Sequence, residues 1–114
     1  RADVHLLLDA LPSTVLLSNI FMLFPDPWPK LRHQKHRVAQ PAFLSRLAER
    51  MGQGGRFYFR TDHLPYFEFV RGELHRHPDL APIDEPWRFE FTTVFQARAP
   101  VYHSLVAGLR APRA

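Results

Sequence analysis

Asp26 stands between two prolines in the stretch Phe24-Pro25-Asp26-Pro27-Trp28-Pro29, and a dense basic run follows from Lys30 to Arg37. Pro25 and Pro27 fix their own φ angles, and Pro27 also keeps Asp26 out of the helical region. A carboxylate on such a turn is held in place. It can accept paired N–H donors from a ligand, or it can hydrogen-bond its own turn. Lys30, Arg32, Lys35 and Arg37 supply cations, His33 and His36 lie among them, and no acid occurs from Pro27 to Ala48. Basic charge beside a flat aromatic such as Trp28 is a nucleic-acid footprint, and a solvated basic loop is the plain alternative.

Other chemistries have less to stand on. The seven histidines include the close pairs His33/His36 and His75/His77, but there is no H-E-x-x-H pattern and no cysteine. A metal cation is also disfavoured beside the basic run, so no metal site is expected. His75, Arg76 and His77 suit the end of a helix, where positive groups complement the dipole. Ser104 follows His103, yet no G-x-S-x-G elbow exists to expose a nucleophile.

The bounds on the chain agree with one small folded domain. It has 114 residues, 46% of them hydrophobic, and a formal charge of +4. Thirteen of the fifteen basic residues are arginine, the better phosphate fork. The absence of cysteine excludes a disulfide framework and is compatible with a cytoplasmic location. The longest apolar run, Val15 to Phe24, is broken by Ser18 and Asn19 and is too short to span a bilayer. No signal-peptide pattern opens the chain. It begins at Arg1 rather than a methionine and reads as a fragment.

The elements that must position Asp26 follow from periodicity. Val4 to Leu11 reads as a short helix, with Asp3 near its start and Pro12 as its stop. Val15 to Phe24 suits a strand buried on both faces. A helix opens at Pro41, carries Phe43, Leu44, Leu47, Ala48 and Met51 inward, and is expected to end at Gly52, Gly54 and Gly55. Arg56 to Thr61 alternates as a strand, with Phe57 and Phe59 on one side and Tyr58 on the other. Pro65 starts a second amphipathic helix with Tyr66, Phe69, Val70 and Leu74 as its stripe. Residues 78–86, with three prolines, read as a loop. Residues 87–97 and 101–109 read as two strands. The alternation predicts an α/β sheet, mostly parallel, with an antiparallel pair at the C-terminal end. In such sheets ligands bind beyond the carboxyl ends of the strands. Pro25 to Lys30 and Asp62-His63 are the turns expected there, so Asp26 and Asp62 are expected to face one crevice.

Phe24 to Arg37 resembles the signature of the bacterial tRNA (guanine-N7-)-methyltransferases, close to F-P-D-P-W-P-K-x-R-H-x-K-R-R and followed by Gln-Pro, here Gln40-Pro41. The resemblance continues through GQGGRFYFRTD at 52–62 and ends in TVFQ at 93–96. It implies a class I, Rossmann-like methyltransferase that uses S-adenosylmethionine on tRNA. It implies that Asp26 is the active-site carboxylate and lies near the methyl donor. It further implies that Lys30 and Asp62 contact the tRNA, that Thr93 to Gln96 form another substrate segment, and that Asp3 falls near the acid that reads the cofactor's adenine. Arg32, Lys35 and Arg37 would join Lys30 in holding phosphates, and Trp28 would stack on a base or close the loop as a packed side chain.

Three departures qualify that pattern. His36 stands where arginine is usual, and Val94 and Gln96 replace a basic residue and a glutamate. The glycines at 52, 54, 55, 72 and 108 form no cofactor-binding turn after a first strand. Residues 1–114 are therefore expected to be the C-terminal part of one methyltransferase domain, inactive alone, with the first strands and the glycine-rich loop upstream. The competing expectation is a non-catalytic RNA-binding module that uses the basic loop 28–37. A small-molecule methyltransferase is disfavoured by that same loop.

Overall fold

The computed structural model describes residues 16–25, 27, 30, 32, 37, 39–87 and 101–110. The expected helix at 4–11 and the expected strand at 87–97, except Trp87, lie outside these residues. The described elements run β1 (Leu17–Leu23), α1 (Pro41–Arg50), β2 (Met51–Thr61), α2 (Leu64–Arg76), β3 (Leu80–Ile83) and β4 (His103–Leu109). They form one mixed sheet in the order β1-β2-β4-β3. β1 and β2 are parallel, and β4 runs antiparallel to both β2 and β3.

The alternation in β2 builds the core. Phe57 and Phe59 face the helices and are fully buried, with Phe43 of α1 edge-on to Phe57 and Tyr66 of α2 edge-on to Phe59. Leu44, Leu47, Val70, Leu74 and Leu80 complete this layer. Truncating either phenylalanine to alanine would cost about 3–5 kcal/mol. On the outer face Tyr58 stacks on Phe21 of β1 at 4.6 Å, and Trp87 packs against both rings.

Both helices begin as their prolines predict. The Gln40 carbonyl accepts the Leu44 amide at 3.0 Å, and the His63 carbonyl accepts that of Phe67 at 3.1 Å. Neither N-cap side chain bonds the helix, and a proline in the first turn of each removes one amide that would need a partner. The end of α2 is closed from a distance. The Arg110 guanidinium donates to the carbonyls of His75 and His77 at 2.9 Å each, and to that of Leu74 at 3.4 Å. His77 Nδ1 accepts the amides of Asp79 and Leu80, which leaves Nε2 to carry the proton and donate to Ser45 Oγ of α1 at 3.1 Å.

Three expectations are corrected. The glycines do not end α1. The helix stops at Arg50, Met51 is already extended, and Gly52, Gly54 and Gly55 lie within β2. They serve a bulge: between the pairs Leu17↔Met51 and Asn19↔Arg56, β2 takes up three residues more than β1. Gly54 has φ +77°, and a Cβ on Gly55 would lie 2.9 Å from the Gly52 carbonyl oxygen and 3.0 Å from that of Leu17. Second, the proline-rich loop contains β3, a short strand that is outermost in the sheet among the described residues, a position that tolerates Pro82. Third, β1 is not buried on both faces. Each of its residues is half-buried or exposed, because β2 is its only strand neighbour among the described residues.

Candidate functional site

The carboxyl ends of β1 and β2 lie at one edge of the sheet. The ladder between them runs one step beyond β1, where the Phe24 amide donates to the Arg60 carbonyl at 2.7 Å. Phe24 there adopts φ +50°. A left-handed backbone is uncommon for a bulky residue and costs about 1–2 kcal/mol. Strain of this kind gathers at functional turns, and Phe24 is the residue that leads into Pro25. Antiparallel β4 starts at the same edge, with His103 opposite Thr61. The edge thus joins the proline turn, the Thr61-Asp62-His63 turn and Tyr102.

Each sequence-predicted site residue can now be placed. Asp62 is exposed, one residue past β2, in a turn where Thr61 Oγ1 accepts the His63 amide at 3.1 Å. Lys30 and Arg32 are exposed. Asp3, Asp26, Lys35, Thr93 and Gln96 lie outside the described residues, as does Trp28.

Arg37 departs from the expected phosphate contact. It is only 3% exposed. Its Nε donates to the Pro27 carbonyl at 2.6 Å, and its guanidinium lies over the rings of Tyr66 at 4.9 Å and Phe69 at 5.5 Å. Burial pulls its pKa below the ordinary arginine value, partly offset by Tyr66. Nη2 is buried without a hydrogen bond. The chain near Arg37 is fixed a second time where the buried Ala39 amide donates to Tyr66 Oη at 3.1 Å. A cation in a basic run looked like surface charge in the sequence. Here the aromatic stripe of α2 provides a place for it indoors.

Sequence reasoning also missed Arg60, which is 3% exposed on the outer face. Its alternation with Phe59 gives the side, but nothing in the sequence announces its partners, Trp87, Tyr102 and Ser104. Away from this edge, Gly54, Arg56, Tyr58, Glu85 and Pro86 line a shallow groove. Arg56 bonds both Glu85 carboxylate oxygens, at 2.9 and 3.0 Å, and holds that carboxyl below the usual glutamate range.

The glycine cradle that a nucleotide-like methyl donor needs is not at the carboxyl edge among the described residues. Gly52, Gly54 and Gly55 sit at the opposite end of β2, Gly72 lies in α2 and Gly108 in β4. Among the described residues no three ligating side chains gather as a metal site, and no helix is long and apolar enough to cross a membrane.

Comparison with known proteins gives the family. Residues 1–99 match the model of a family described as "Putative methyltransferase". The chain is 48% identical over 58 residues to a tRNA (guanine-N(7)-)-methyltransferase of Halorhodospira halophila, covering 51% of this chain and 25% of that protein. It is 35% identical over 103 residues to a protein of the same name from Nitrosomonas europaea, covering 90% of this chain and 42% of that one. A solved "putative methyltransferase" from Thermoplasma acidophilum matches with a TM-score of 0.42 at 16% identity, over 88% of this chain and 40% of the other. The chain spans less than half the length of each.

Proposed function

This chain belongs to that methyltransferase family, and from this premise we propose that it is part of an enzyme that methylates N7 of a guanine in tRNA. Residues 1–114 form the C-terminal part of its single methyltransferase domain, which works in the cytoplasm. The observation that supports the reading is the meeting at one sheet edge of Phe24 and Pro25, which lead into Asp26, with the Thr61-Asp62-His63 turn. The named relatives support the substrate.

S-adenosylmethionine supplies an electrophilic methyl group on a sulfonium. Guanine N7 has a lone pair and no proton, so the chain needs no base at the nucleophile. It must align the ring, which is catalysis by proximity. Asp26, stiffened by its two prolines, accepts hydrogen bonds from guanine N1–H and the N2 amino group. Its negative charge also favours the purine cation that forms. Adenine offers no such donor pair on that edge, so the same carboxylate selects the base. Lys30, Arg32 and Lys35 hold phosphates, Asp62 and the segment Thr93–Gln96 complete the tRNA contacts, and Asp3 would help to hold the cofactor's adenine. Arg37 holds the turn instead of the RNA.

The test is transfer of a labelled methyl group to unmodified tRNA by the full protein that carries this chain, followed by nucleoside analysis. Label in 7-methylguanosine is expected, with Asp26→Asn slower by about a hundredfold. Label in another nucleoside sinks the reading. Salt-dependent tRNA binding with no transfer favours the non-catalytic RNA-binding module.

A further inference from the structure

Tyr102 has no part in the chemistry proposed above, yet it stands at the carboxyl edge beside both turns. It lies one residue before β4, and Asp62 lies one residue past β2. The last pair of that antiparallel ladder, Thr61↔His103, carries the register toward Asp62 and Tyr102. Phe24, which leads into Pro25, meets the Tyr102 ring edge-on at 6.3 Å. Tyr102 is 38% exposed, and among the described residues no other phenylalanine, tyrosine or tryptophan is exposed. The ring is nonetheless held. The guanidinium of buried Arg60 lies 4.4 Å from its centroid and 3.7 Å from that of Trp87. Arg60 is anchored in turn where its Nε donates to Ser104 Oγ at 2.7 Å.

We infer that Tyr102 is a stacking platform for an unpaired base of the RNA substrate. The inference rests on the reading that the substrate is RNA. The physical case begins with where guanine N7 lies. In an A-form helix it faces the deep, narrow major groove, which side chains cannot read, so bases are met in single strands and loops instead. A base taken there has lost its stacked neighbours. An aromatic ring replaces them, and it suits any base because each has a π face. Tyr102 has what that task needs. Its ring is open to solvent, so a base that covers it removes apolar surface from water. Its orientation is set in advance by the attraction between the Arg60 guanidinium and the ring, so binding orders little that is not already ordered. A tyrosine that only closed the edge would act through packing, and the two roles respond differently to substitution.

The test compares the full protein carrying this chain with its Tyr102→Leu and Tyr102→Phe variants, using unmodified tRNA as the ligand. Leucine keeps an apolar side chain without the ring, and phenylalanine keeps the ring. The Kd for tRNA is expected to rise about tenfold in Tyr102→Leu and to stay within about twofold of wild type in Tyr102→Phe. The slope of log affinity against log salt is expected to be the same in all three, because stacking releases no counterions. Affinity for S-adenosylmethionine should hold. Ultraviolet irradiation of the wild-type complex is expected to cross-link a nucleotide to Tyr102, a readout that needs no variant. Wild-type affinity in Tyr102→Leu overturns the platform, as do equal losses in the two variants or a lowered salt slope in Tyr102→Leu. Weaker binding of S-adenosylmethionine alone gives the ring to the methyl donor and overturns it too, and so do cross-links confined to other residues. A wild-type protein that binds tRNA but forms no 7-methylguanosine defeats the functional reading instead, and the binding measurements still decide the platform.

Discussion

Arg37 holds the Pro27 carbonyl at 2.6 Å while its guanidinium lies over the ring of Tyr66, 4.9 Å from the centroid. A residue of the basic run thereby ties the turn after Asp26 to helix α2. The turn is stiffened locally by proline and fixed globally by arginine.

Arg37→Met is expected to free the Pro27 carbonyl and let the turn drift. Methyl transfer should fall about tenfold or more in kcat, because small displacements of a positioning group are costly. Stability should fall by about 1–3 kcal/mol through the lost bond and ring contacts. Arg37→Lys keeps the charge but not the fork, and should lie between the two. Steady-state kinetics with a urea titration checks both, and a variant with wild-type kcat would separate Arg37 from the active turn.

Lys30→Ala and Arg32→Ala should behave differently, since both side chains are exposed. Each is expected to weaken tRNA binding and to lower the slope of log affinity against log salt by about one. The melting temperature should stay put. Binding titrations over a range of salt concentrations measure this, and an unaltered slope would remove that residue from the phosphate contacts.

Tyr66→Phe deletes only the hydroxyl that accepts the buried Ala39 amide. The ring edge against Phe59 stays. The unsatisfied amide should cost about 1–3 kcal/mol in a denaturant titration. A loss near zero would mean that the segment at Ala39 finds another partner.

Gly55→Ala and Gly54→Ala separate two reasons for a glycine. At Gly55 a Cβ meets backbone oxygens at 2.9 and 3.0 Å, so the bulge itself must open. At Gly54 nothing lies within 4 Å, and only the φ of +77° resists substitution. Gly54→Ala should cost about 1 kcal/mol and Gly55→Ala more, by thermal or denaturant melting. The reverse order would place the constraint in the turn's dihedral angles alone.

Much of this fold was legible because local patterns and tertiary demands agree. Phe57 and Phe59 alternate with Tyr58, and the sheet buries them on the sides that the alternation predicts. Pro41 and Pro65 open helices where their missing amides do no harm. The failures share a cause, namely residues whose type allows two jobs. Glycine after a helix suits a cap or a bulge, and only pairing with Leu17 and Asn19 selects the bulge. Pro82 argues against a strand unless the strand sits at a border, which depends on where β4 inserts. Arg37 reads as surface charge because its aromatic host, Tyr66 and Phe69, lies about thirty residues away. In the site, spacing brought out the proline turn and its neighbour Asp62, but the contacts of Arg60 with Trp87 and Tyr102 exist only after folding.

The strand order β1-β2-β4-β3 also sets a timetable. β3 has no place against β2, because β4 lies between them, and the end of α2 keeps open carbonyls until Arg110 arrives. As the chain leaves the ribosome, β1, α1, β2 and α2 emerge before β3 and β4 and can pair and pack on one another. Among the described residues, the strand partner of β3 follows only with residues 103–109. Of these described strands the one made later, β4, lies between β2 and β3, so losing it would part β3 from β2 and remove the Arg110 contacts from the end of α2.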